Sequence, residues 1–101
     1  MNRRDALVQV IECLHAEIAA LKANDPRALE RATSAKLGHI DTVAACEGEP
    51  MTDELRALAR EAQRLNDTAR IYVNLMAANV RRRLQSLAGQ AVAPYRATAF
   101  A

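Results

Sequence analysis

Aromatic residues are almost missing from this chain: Tyr72, Tyr95 and Phe100 are the only three among 101 residues, and tryptophan is absent. Single-stranded nucleic acid needs a platform of such rings to stack on, so that class of surface has no support here. Glycine and proline number only three each, which leaves few places for the chain to turn. No stretch approaches the ~18 consecutive apolar residues of a membrane span. Asp5, Glu12 and Glu17 interrupt the first apolar pattern, so the N-terminus lacks the unbroken core of a secretory signal. These absences predict a soluble, cytoplasmic protein without membrane insertion.

Acidic residues are missing from the last third. Residues 1–67 hold all twelve acids against nine bases, whereas residues 68–101 hold five arginines and no acid. Block asymmetry of this kind fits either a segment that meets an acidic or mixed-charge partner or cations placed near a helix C-terminus, where the macrodipole favours them.

What is present is helix-forming. Half of the residues are apolar, with alanine and leucine prominent, and a chain of this length makes one small domain. Leu7, Ile11, Leu14, Ile18 and Leu21 recur at alternating steps of four and three, the seam of one helix face, and predict a helix over 3–23. Asn24-Asp25-Pro26 then supplies a stop, a cap and a proline suited to a first helical position. A second helix over 26–46 carries a weaker pattern of Leu29, Ala32, Leu37, Ile40, Val43 and Ala44. After the turn at 47–50, Thr52 caps a third helix over 52–88, with Asp53 and Glu54 in its first turn. The expected fold is therefore all-α: a helical hairpin and one long C-terminal helix, three antiparallel helices over 1–89. A flexible tail is expected over 90–101.

Length has a consequence. At a rise of 1.5 Å per residue the first two helices reach ~30 Å and the third ~55 Å, so the third overhangs from about residue 74. The overhang carries Leu75, Met76, Val80, Leu84 and Leu87, an apolar strip that predicts a partner or self-association.

No catalytic constellation is present in the sequence. Cys13 and Cys46 fit no zinc spacing, and folding the hairpin about residues 24–25 offsets them by ~15 Å, too far for a disulfide. The same geometry keeps His15 away from His39, so neither is expected to bind metal. No phosphate-binding loop or nucleophile motif occurs, and we expect neither enzymatic activity nor a cofactor. Arg81, Arg82 and Arg83 fan through ~200° of helix and cannot face one groove of a duplex, so nucleic acid is not expected as a partner. Their aliphatic stems suit the flanks of an apolar strip, with their charged heads toward acids on a partner.

One family shares this layout. An acid-proline helix start followed by Lys36 amid small and apolar residues, then Leu65-Asn66 before a long apolar helix, resembles the FlgN-like flagellar export chaperones. The resemblance implies a cytoplasmic type III secretion chaperone for hook-associated (hook-filament junction) proteins. Such a chaperone binds their C-terminal helices, keeps them unassembled, and delivers them to the flagellar export apparatus. It implies a role for Asn66 as the family asparagine and for Tyr95 as a contact with the export gate. The chain departs from the family at Ala69, where a second asparagine is usual, and after Tyr95, where no glycine follows. From the chain's own pattern the expected partner-binding strip is Ile71, Leu75, Met76 and Asn79, continuing through Val80, Arg83, Leu84 and Leu87. A structural coiled coil that homodimerises through the same strip is the alternative.

Overall fold

A computed structural model of the chain describes residues 2–46 and 48–91, with side chains through Gly89. Three helices make up the fold: α1 (Arg3–Ala23), α2 (Pro26–Ala45) and α3 (Asp53–Ala91). Their bounds fall within a few residues of those expected from the sequence. The tail expected to be flexible lies, from residue 92 onward, outside the described residues, as does Tyr95.

Each helix starts on a side-chain cap. Asn2 Oδ1 accepts from the Asp5 amide at 2.8 Å, Asp25 Oδ1 from the Ala28 amide at 3.1 Å, and Thr52 Oγ1 from the Leu55 amide at 3.1 Å. These bonds satisfy amides that have no partner inside the helix. The corner between α1 and α2 is made by Asn24, whose φ of 54° is left-handed. Asparagine tolerates that region better than other side chains, and here it closes the helix. The Asn24 amide donates to Leu21 at 3.2 Å and the Asp25 amide to Ala20 at 2.9 Å. The chain then reverses directly into Pro26.

α1 and α3 run in the same direction and α2 runs opposite to both. Arg4 pairs with Glu54 near the start of both helices, and Lys22 Nζ lies 5.5 Å from the ring centre of Tyr72 near the end of α1. The turn between α2 and α3 is tied to the start of α1. Arg3, a buried residue, donates from Nη1 to the Glu49 carbonyl at 3.2 Å and from its amide to the Glu49 carboxylate at 3.3 Å.

α1 is the middle of the molecule. α2 and α3 each pack along it and hardly meet one another. The core accordingly belongs to α1: Val10 and Leu14 close on Leu65 of α3, with Ile11, Ile18, Val43 and Ala62 against them. Leu14, 1 % exposed, is the most enclosed large side chain. α3 is covered almost entirely by α1. Leu37 and Ile40, although they belong to the apolar pattern of α2, remain 55 % and 42 % exposed. Two neighbours can flank a central helix without touching, and the space between them then stays open.

α3 outlasts the hairpin. Met76 reaches the α1–α2 corner beside Leu21 and Pro26, and beyond it the helix runs on to Ala91 with Val80, Leu84 and Leu87 exposed. The molecule is consequently elongated, 64 Å in its longest dimension against 25 and 19 Å in the others.

Candidate helix-docking groove

The gap between α2 and α3 is a groove with α1 as its floor. At one end Leu7, Val10 and Leu14 form the floor, Leu37, Ile40 and Val43 one wall, and Ala59, Ala62 and Gln63 the other. Farther along, the floor is Glu17 and Leu21, one wall Leu29 and Thr33, and the other Ala69, Arg70 and Val73. Lys36 and Asn66 line both parts, so the two parts are continuous. The walls differ in character: α2 contributes Leu29, Leu37, Ile40 and Val43, whereas α3 contributes three alanines among polar residues and Val73. Ala59, Ala62 and Ala69 leave room beside them for large side chains from outside.

The polar point of the groove is an ion pair. Glu17, 4 % exposed, accepts from Lys36 Nζ at 3.0 Å and from the Thr33 hydroxyl at 2.5 Å. A carboxylate this enclosed requires such partners, since removing an unpaired charge from water is costly. The pair joins α1 to α2 and leaves Asn66 facing it across the groove. One turn earlier, Cys13 is half-buried; its thiol is pushed above the ordinary range by burial and by the nearby charges of Glu17 and Glu12. That favours the protonated, poorly nucleophilic form at neutral pH. Glu61, on the outer side of α3, is held below the usual carboxylate range by hydrogen bonds from Arg64 at 3.1 and 2.6 Å. Among the described residues no group of three metal-ligating side chains converges.

The expected strip does not form one face. A helix turns by about 100° per residue, which puts Val73, Ala77, Val80 and Leu84 within ~40° of Asn66. These residues continue the α3 wall of the groove onto the overhang, and Leu87 lies ~60° to one side. Val80, Leu84 and Leu87 are 54 %, 61 % and 61 % exposed. By the same rotation Ile71 and Leu75 lie on the opposite side of α3, although both are exposed. Met76 and Arg83 sit toward the α1 side, Met76 half-buried and Arg83 exposed; Asn79 is exposed farther around.

The chain matches no family model, and no curated protein or solved structure is similar to it. The functional reading therefore rests on the groove and on the sequence pattern.

The groove walls were the part that sequence reading missed. The signal that could have found them is Val10. Together with Leu7 and Leu14 it makes a second apolar line on α1 beside Ile11 and Ile18. A helix apolar on two sides needs a neighbour on each.

Proposed function

We propose that this chain is a non-enzymatic helix-binding chaperone of the FlgN-like type, acting in the cytoplasm on hook-filament junction proteins. It takes the amphipathic C-terminal helix of a client, holds it apart from other copies, and releases it to the flagellar type III export apparatus. The observation that carries this reading is the open groove between α2 and α3, together with its continuation, in phase, onto an exposed apolar overhang. Helix-in-groove recognition needs an apolar trough bounded by helices, with polar groups that fix register. Leu7, Leu14 and Leu37 offer the trough, and Asn66 and the Glu17–Lys36 pair offer the polar groups. Arg81 and Arg83 flank the extension, where their stems add apolar cover and their heads meet client acids.

Capture of purified hook-filament junction proteins by the immobilised intact chain is the test. Binding is expected with the intact chain. It is expected to be lost with Leu84→Asp plus Leu87→Asp, a variant whose altered side chains contribute nothing to the core, and with a chain ending at Ala69. No capture by the intact chain overturns the reading. Capture that survives both changes overturns the use of the overhang.

A further inference from the structure

We propose that in the absence of a client the groove of one copy is filled by the α3 overhang of a second copy, in an antiparallel two-fold dimer. This inference goes beyond the chaperone reading and does not depend on it. Ala59, Asn66, Val73, Val80 and Leu87 follow one another at steps of seven along α3. Each such step drifts by only ~20° on a straight helix, so the wall of the groove and the exposed line of the overhang are one stripe. The two halves of the stripe are matched in length: with Val73 at the centre, residues 59–73 of one copy lie along residues 73–87 of the other, each fifteen residues or ~22 Å. An overhang therefore fits a groove from end to end.

The side chains are complementary as well. With Val73 of both copies at the two-fold axis, Leu87 of one copy faces Ala59 of the other, Leu84 faces Ala62, and Val80 faces Asn66. Leu87 and Leu84 of the overhang thus meet alanines on the wall, which lets the two helices interdigitate at that end. The α3 stripe alone is a strip ~43 Å long and ~10 Å wide on each copy. Leu37 and Ile40 on the other wall, 55 % and 42 % exposed, bring the total toward the ~1,200 Å² at the lower end of specific interfaces.

Charge selects this arrangement over other self-pairings. A parallel pair, or an antiparallel pair formed by overhangs alone, sets the Arg81–Arg83 runs side by side, and like charges across an interface oppose it. In the proposed register the runs are separated. Arg81 projects from the same flank of α3 as Asp67, and the two-fold axis brings these flanks together. Asp67 is exposed, and Gln63 Nε2 at 3.0 Å and Arg70 at 3.9 Å both approach its Oδ1, which leaves Oδ2 to receive Arg81 of the second copy.

The test uses the purified intact chain, without any client. Light scattering across a dilution series is expected to give twice the chain mass at high concentration. In chains carrying Cys13→Ala and Cys46→Ala, Val73→Cys is expected to cross-link to itself. Asn66→Cys is expected to link to Val80→Cys only when the two variants are mixed. Arg81→Asp is expected to raise the dimer dissociation constant about tenfold, since it places like charges at two symmetric contacts, and adding Asp67→Arg restores it. A chain that stays monomeric at every concentration overturns the inference. So does a dimer in which Val80→Cys links to itself, or one indifferent to Arg81→Asp. A monomer that still binds a client helix sinks the dimer and leaves the chaperone reading, whereas a dimer that captures no junction protein does the reverse.

Discussion

The two halves of α3 share similar apolar spacing and have different surroundings. Leu55, Leu65 and Ala69 are buried, while Val80, Leu84 and Leu87, at comparable spacings on the same helix, face outward. Periodicity fixes which residues share a face. It does not fix whether anything lies against that face. Here the difference is made by α1, which ends at Ala23 and so covers α3 only as far as Tyr72 and Met76. The apolar surface left over is a consequence of unequal helix lengths, and it is the kind of surface that soluble chains reserve for partners.

The contrast can be broken by substitutions on either side of the α1–α2 corner. Leu14→Ala, in the covered half, is expected to cost about 3 kcal/mol of unfolding free energy, through lost apolar contact and the cavity left behind. Urea unfolding followed by far-ultraviolet circular dichroism measures it, and a cost below about 1 kcal/mol would mean that Leu14 is not at the centre of the core. Lys36→Ala is expected to cost somewhat less, about 2–3 kcal/mol, because it strands the enclosed Glu17 carboxylate with only the Thr33 hydroxyl. Replacing both partners with Glu17→Met and Lys36→Met should recover most of that loss in the same measurement. At the small end, Leu84→Ala on the overhang is expected to shift the unfolding free energy of the dilute monomer by no more than about 0.5 kcal/mol. A large loss there would mean that the overhang is covered even in the isolated chain.

Much of the fold was legible because its punctuation is local. Asn24-Asp25-Pro26 and Thr52 act through bonds to residues three to five away, so the helix limits could be read directly. The groove was not legible in the same way. Leu37 and Ile40 have the spacing of core residues, and only the angular position of α2 around α1 leaves them at a rim. That angle is set by contacts across the whole hairpin, including the Glu17–Lys36 pair, whose members are far apart in sequence. The candidate strip was partly legible. Val80, Leu84 and Leu87 lie on the line that continues the groove, whereas Ile71 and Leu75 are apolar on the reverse side, and hydrophobicity alone does not separate the two sets. Val73 and Ala77 belong to that line and escaped notice because one is flanked by a bulkier neighbour and the other is small.

The Asn24 corner works as a ruler. By turning the chain where it does, it decides how much of α3 is sheathed and how much is bare, although it contributes no apolar surface of its own. Lengthening α1 and α2 together by one helical turn would sheathe ~5 Å more of α3 and shorten the bare segment by the same amount. The reach of the exposed apolar surface is thus set by a left-handed asparagine in another part of the chain, and it can change while every residue of that surface stays the same.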